Sequence, residues 1–95
     1  MHFVINCTDK PDYLAVRVEN RPAHVEYLKT HGDKIIAAGP TLAEDGESMI
    51  GSLLIMQFDD LAQAEAWTAD DPYNKAGLFG SVTITPWKKV LPADG

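Results

Sequence analysis

The sequence predicts an α+β fold whose elements follow the order β-α-β-β-α-β. Its 95 residues, 45% hydrophobic and 23% charged, are enough for one hydrophobic core, so we expect a single domain over residues 1–95. Four short apolar segments are separated by turn residues and by two segments with helical spacing. The third strand is apolar on both faces, which indicates that helices on one side do not cover the whole sheet.

The first half of the chain contains a strand at residues 3–7 and then a long helical pattern. Pro22 lies inside this pattern and lacks the N–H that a helix interior needs. We therefore expect two helices, at residues 11–19 and 21–31, with Asn20 as the cap of the second. The side of these helices expected to face the core is apolar and consists of Leu14, Val18, Val25 and Leu28.

The second half completes the predicted sheet. The expected elements are a strand at 34–39 closed by Gly39-Pro40, a polar loop at 41–48, a strand at 49–58, a helix capped by Asp59-Asp60 and continuing to Ala69, one helical turn within 72–79, and a strand at 81–90. Gly51 indicates a bulge or a close backbone approach, and Pro86 favours either an edge position or a bulge in the last strand. The order matches the ferredoxin-like arrangement, a four-stranded antiparallel sheet with both helices on one face.

Composition excludes several functional classes. Fourteen acidic residues against eight basic ones give a net charge of −6, which disfavours nucleic-acid binding. We expect no membrane span and no signal peptide, hence a cytoplasmic protein. The single Cys7 excludes an internal disulfide, and we expect it to be a buried, inert thiol. Neither a glycine-rich phosphate loop nor metal-ligand spacing is visible, so we expect no cofactor and no metal.

The uncovered face of the sheet predicts self-association. Apolar positions on that face need a second cover, and another copy of the same sheet provides one. We therefore expect a homodimer of two-fold symmetry, with about 800 Å² buried on each chain, or a higher oligomer built from it.

Arg21 and His24 are the first candidates for chemistry. If a helix restarts at Asn20, His24 lies near its positive end, which favours the neutral imidazole that a general base needs. Arg17, Arg21 and His24 would share one stripe of a continuous helix. The alternative is that His24 is a partly buried structural histidine and that the arginines pair with acids.

Asp71, followed by Pro72 and Tyr73, is the second candidate. Asp71 before a proline is typical of a helix N-cap. It could instead accept a hydrogen bond from His24 and fix the tautomer of that ring. Tyr73 and Phe79 are core aromatics or line a cleft beside Asp71.

The motifs together resemble those of a known family. They are Arg21-x-x-His24, Ala38-Gly39-Pro40, Gly51, Asp71-Pro72-Tyr73, Ala76-Gly77-Leu78 and Ile84-x-Pro86-Trp87. Over nearly the whole chain, their order and spacing resemble the YciI-like (YCII-related) family of small bacterial proteins. The resemblance implies the dimeric α/β-barrel version of the ferredoxin-like fold, similar to that of muconolactone isomerases.

The resemblance also implies a cleft built around a histidine and an aspartate. By matching motif these are His24 and Asp71, with Arg21, Gly39 and Pro40 as neighbours, and we expect Tyr73 to contact the ligand too. Some relatives dehydrochlorinate chlorinated, hydroxylated aromatics. We therefore expect a cofactor-independent enzyme that acts by elimination or isomerisation on a small anionic or hydroxylated molecule.

Two other functional classes stay open. One is a non-catalytic module that binds a small ligand in the same cleft, with Arg21 holding an anionic group. The other is a structural partner protein, which would have a filled cleft and a His24 side chain far from Asp71.

Overall fold

A computed structural model describes residues 1–93. Its elements are β1 (His2–Asp9), α1 (Leu14–Thr30), a short 3-10 turn (Gly32–Lys34), β2 (Ile35–Leu42), β3 (Met49–Gln57), α2 (Leu61–Ala69), α3 (Pro72–Lys75) and β4 (Phe79–Trp87). The strands form one antiparallel sheet in the order β2-β3-β1-β4. This confirms the predicted α+β, ferredoxin-like fold.

The core lies between one face of the sheet and the helices. Alternation along β1 and β3 turns Phe3, Ile5, Leu54 and Met56 to this inner face, where each is at most 2% exposed. The remaining members of the core are Cys7, Phe58, Ala64, Trp67, Tyr73, Leu78 and Phe79. Each large apolar side chain buried in this way contributes roughly 1.5–3 kcal/mol to folding, so the central strands hold the sheet on the helices.

The opposite face of the sheet has no helix over it. Its central row places Ala37 beside Ile55, and Ile55 beside Val4. Ile55 and Val4 are only half-buried. The two-faced apolar character predicted for the third strand is therefore present in the structure.

Helix α1 differs from the prediction because it is continuous from Leu14 to Thr30, with Pro22 inside it. The hydrogen bond that Pro22 cannot make belongs to the Val18 carbonyl. Both residues are exposed, so water can replace the missing donor and the helix need not split. Asn20 caps no second helix; its side-chain amide donates to the Val16 carbonyl at 2.9 Å.

The expected apolar side of α1 was also wrong in its first half. Leu14 and Val18 are exposed, whereas Arg17 and His24 are the buried residues of this helix. The inner face of the sheet already supplies the apolar core, and α1 turns two polar side chains towards it. Within the part of the chain that the structure describes, no helix has the length and apolar character needed to span a membrane.

Both edge strands contain a proline, as edge strands tolerate. The prediction of an edge position for Pro86 in β4 is confirmed. β2 was predicted to end at Gly39-Pro40 but runs on to Leu42. The reason is that β2 pairs only with β3, so the missing N–H of Pro40 interrupts no second ladder.

Gly51 lies where the backbone of a neighbouring strand comes very close. A Cβ atom at this position would overlap the Cys7 carbonyl oxygen and approach Thr41 Oγ1 to 2.6 Å. The predicted close approach at Gly51 is therefore confirmed. Cys7 itself is buried, and burial, reinforced by the carboxylates of Asp71 and Asp9, raises the pKa of its thiol to about 12. The thiol therefore stays neutral near pH 7.

Candidate active site

A cavity of about 180 Å³ lies between α1 and the inner face of β2 and β3. Its polar lining consists of Arg17, Arg21, His24, Ser52 and Tyr73. The apolar lining includes Val25, Leu28, Met49 and Leu54. An apolar cavity of roughly 150 Å³ can hold benzene, so this space fits one six-membered ring with few substituents.

His24 and Asp71 meet in the wall of this cavity. His24 Nδ1 lies 2.8 Å from Asp71 Oδ1, although 47 positions separate the two residues. Both side chains are buried. A carboxylate oxygen accepts hydrogen bonds, so Nδ1 is the donor in this contact. The pair thus leaves Nε2 as the nitrogen that a ligand can meet.

Asp71 is also the N-cap of α3. Its Oδ1 atom accepts a hydrogen bond from the Tyr73 backbone N–H at 2.9 Å. The sequence left two alternatives open for Asp71, a helix cap and a partner of His24. Asp71 has both roles, and the same oxygen atom makes both contacts. The cap fixes the carboxylate, and the carboxylate fixes the imidazole.

Tyr73 holds the imidazole from its side. The two rings stack with centroids 3.9 Å apart and planes 13° from parallel. The Arg17 guanidinium carbon lies 4.7 Å from the Tyr73 centroid. Tyr73 therefore contacts both the His24 imidazole and, through a cation–π interaction, the Arg17 guanidinium. Burial is the main cause that raises the pKa of Tyr73, so its hydroxyl stays protonated near pH 7.

Arg17 is held by an acid on the first strand. Its Nε and Nη2 atoms donate to the two carboxylate oxygens of Asp9, at 2.7 and 2.9 Å. Nη2 also donates to Ser52 Oγ at 2.9 Å. The hydrogen bond and charge of Asp9 raise the pKa of Arg17 despite the opposing effect of burial. The charge of Arg17 is therefore permanent and already neutralised.

Arg21 is the cation of the cavity that is not neutralised. Its side chain is exposed yet lines the cavity, and no carboxylate forms an ion pair with it in residues 1–93. The His24 environment also differs from the prediction. Because α1 is continuous, His24 lies in the middle of the helix, and the positive helix end does not act on it.

The structure brings all six predicted site residues to one place. Gly39, Pro40, Arg21, His24 and Tyr73 line the cavity, and Asp71 lies directly behind His24. Glycine is not required at Gly39 by the backbone, since no atom lies within 4 Å of a Cβ built there and its φ is not positive.

Two polar residues of the site were missed in the sequence, and Phe79 was left undecided. Phe79 belongs to the core and does not line the cavity. The missed residues are Asp9 and Ser52, which hold Arg17. Each is a polar residue at a strand position that the alternation of apolar residues predicts to be buried. Buried polar groups are uncommon and need partners, so this pattern could have marked both residues.

Among residues 1–93, no three His, Cys, Asp or Glu side chains come together in a way that could hold a metal ion. The cavity presents the polar side chains of Arg21, His24, Ser52 and Tyr73 beside an apolar wall.

The fold is that of a known class of small α+β proteins, and the sequence comparison identifies the family. The YCII-related domain family matches residues 1–88. The chain belongs to this family.

Particular relatives span the whole chain. Protein YciI of Escherichia coli O6:H1 is 38% identical over 98 residues, covering 96% of this chain and 100% of the relative. An uncharacterized protein of Haemophilus influenzae is 37% identical with the same coverage.

Solved structures extend the comparison. The 5-chloro-2-hydroxyhydroquinone dehydrochlorinase TftG of Burkholderia phenoliruptrix AC1100, in complex with 2,5-dihydroxybenzoquinone, is 37% identical with a TM-score of 0.88, covering 99% of this chain and 100% of TftG. An antibiotic biosynthesis monooxygenase is 14% identical with a TM-score of 0.57, over 95% of this chain and 99% of its own, and shares the fold alone.

Proposed function

We propose that the protein is a cofactor-independent enzyme that uses His24 as a general base and acid on a small hydroxylated ring compound. The observation that carries this proposal is the 2.8 Å contact between His24 Nδ1 and Asp71 Oδ1 in the wall of a ring-sized cavity. A carboxylate that accepts from one imidazole nitrogen stabilises the charge that forms when the other nitrogen takes a proton.

The substrate class follows from the lining and is supported by the similarity to TftG. The apolar wall suits a ring, and Arg21 suits a phenolate or carboxylate because its charge is not neutralised. Asp9 neutralises Arg17, so Arg21 is the lining cation without a carboxylate partner among residues 1–93 and can pair with one anionic group of a ligand. Compounds of the 5-chloro-2-hydroxyhydroquinone type are therefore the first substrates to test.

The proposed step is an elimination or an isomerisation. His24 Nε2 removes a proton from the ring compound, and the electron pair of that bond forms a new double bond. In an elimination the pair expels a leaving anion such as chloride. In an isomerisation the imidazolium returns the proton at another carbon. Asp71 stabilises the imidazolium in both cases.

Asp71→Asn tests the pair while keeping its geometry. The amide oxygen of Asn can still accept from both His24 Nδ1 and the Tyr73 N–H, so we expect a folded protein that lacks only the negative charge. Turnover should fall roughly 10²- to 10⁴-fold. The measurement is chloride release and product absorbance over a panel of chlorinated hydroquinones, other hydroxylated aromatics and lactones.

Asp70→Asn is the matched control, because Asp70 is adjacent and exposed. It should keep wild-type turnover. If Asp71→Asn consumes substrate as fast as the wild type, the pair has no catalytic role. If the wild type binds members of the panel and consumes none, the cavity belongs to a non-catalytic binding module.

We also propose that two copies pack their helix-free sheet faces together. Ile55 lies in the centre of that face between Val4 and Ala37, so a charge placed there would be buried without a partner. Ile55→Glu should shift the mass in sedimentation equilibrium from twice 10.4 kDa to 10.4 kDa. Gln57→Glu, on the same strand and face, should remain dimeric; a wild-type mass of 10.4 kDa would refute the dimer.

A further inference from the structure

We infer that Ser52 is a substrate-binding residue whose hydroxyl donates a hydrogen bond to an oxygen atom of the bound molecule. This inference deepens the proposed function, since it concerns the same cavity. It specifies a ring compound with a phenol, phenolate or carbonyl oxygen. A hydrocarbon or a halogenated ring without oxygen would not satisfy the site.

The first argument is the position of Ser52. The residue is 3% exposed, lies on β3, and lines the cavity from the sheet side. His24 lines the same cavity from helix α1. A ring bound between the helix and the sheet therefore meets Nε2 on one side and the Ser52 hydroxyl on the other.

The second argument is the hydrogen bonding of this hydroxyl. Ser52 Oγ accepts from Arg17 Nη2 at 2.9 Å. Its own hydrogen has no acceptor in the described part of the chain. A serine hydroxyl both accepts and donates, and a buried donor without an acceptor is costly. The geometry therefore leaves one donor that an oxygen atom in the cavity would satisfy.

The third argument is that the hydroxyl is held in a polarised state. The Asp9 carboxylate accepts two hydrogen bonds from Arg17, and Arg17 also donates one to Ser52 Oγ. Donation into an oxygen strengthens the hydrogen bond that the same hydroxyl gives. Arg17 thus acts on the bound molecule through Ser52, as a positioning residue, whereas Arg21 can reach an anion directly.

The test compares two probes of similar size, 4-chlorophenol and chlorobenzene, by isothermal titration at a pH below the pKa of the phenol; only the first carries an oxygen atom. Wild-type protein should prefer 4-chlorophenol. Ser52→Ala should weaken 4-chlorophenol binding roughly tenfold, as for one lost hydrogen bond to a buried donor. Its affinity for chlorobenzene should stay within about twofold of the wild-type value.

Two further variants separate recognition from stability. Ser52→Thr keeps the hydroxyl and should keep the preference. Thr68→Ala removes a buried hydroxyl on α2 that donates to the Ala64 carbonyl and does not line this cavity. It should leave both affinities unchanged, and circular dichroism before each titration confirms that the variants are folded.

The inference is overturned if Ser52→Ala binds 4-chlorophenol as the wild type does, if the wild type shows no preference for 4-chlorophenol over chlorobenzene, or if the wild type binds neither probe up to its solubility. Its failure is distinguishable from failure of the proposed function. A Ser52-dependent preference without any turnover would contradict the proposed catalytic function and support the binding role of Ser52. Turnover without the preference would support the catalytic function and contradict the binding role of Ser52.

Discussion

His24→Asn is expected to lower turnover roughly 10²- to 10⁴-fold, the range that general acid–base catalysis contributes. The Asn side chain can place its amide nitrogen near the position of Nδ1 and donate to Asp71, so the buried carboxylate keeps a partner. No atom of Asn replaces Nε2, which is the atom that would exchange the proton. The value of kcat should therefore fall while ligand affinity changes little, and steady-state kinetics separate the two.

His31→Asn is the control for this variant. His31 lies at the end of the same helix, hydrogen-bonded to Thr30 and outside the cavity, so its loss should not change kcat. A His24→Asn protein with wild-type kcat would show that another group moves the proton, and it would remove His24 from the mechanism.

Asp9→Ala is expected to have the largest effect on stability among the charged residues. The Asp9 and Arg17 side chains are only 7% and 3% exposed. Removing one partner leaves a buried guanidinium unpaired, which costs roughly 3–5 kcal/mol. The free energy of unfolding, measured by urea denaturation, reports this loss. Binding should weaken too, because Arg17 would no longer be held against Ser52 and Tyr73.

The exposed pair Glu26–Lys29 provides the comparison. Its side chains are 75% and 69% exposed at a separation of 3.7 Å, so Glu26→Ala should change stability by less than about 1 kcal/mol. The double variant Asp9→Leu/Arg17→Met should recover much of the loss, since neither charge remains. If Asp9→Ala and Glu26→Ala destabilise equally, burial does not set the strength of the Asp9–Arg17 pair.

The fold was predictable because its elements follow from local patterns. Alternation along the third strand, Asp60 as a cap and the proline in the last strand each depend on neighbours within a few residues. The predicted ends of elements were wrong where solvent exposure or the position of a strand in the sheet determines whether an element continues through a proline. Exposure of the Val18 carbonyl lets α1 continue through Pro22, and the edge position of β2 accommodates Pro40.

The site was predictable in part. Arg21, His24 and Asp71 were found through their motifs. Asp9 and Ser52 gave a weaker indication: each is a polar residue at a strand position where the alternation predicts a buried apolar side chain. The positive helix end expected beside His24 is absent because α1 does not restart. The contacts that hold this imidazole instead come from residues far along the chain, namely Asp71 and Tyr73.

The order of strands and helices, the two apolar sheet faces and the cap at Asp71 were determined by the sequence itself, because each depends on side-chain periodicity or on a single turn. Only the tertiary structure decided that Asp71 Oδ1 serves His24 and Tyr73 together, and that Asp9 and Ser52 hold Arg17. Hydrogen bonds require atoms within about 3 Å. Residues 35 or 47 positions apart reach that distance only after the sheet has formed and α1 and α3 have packed against it.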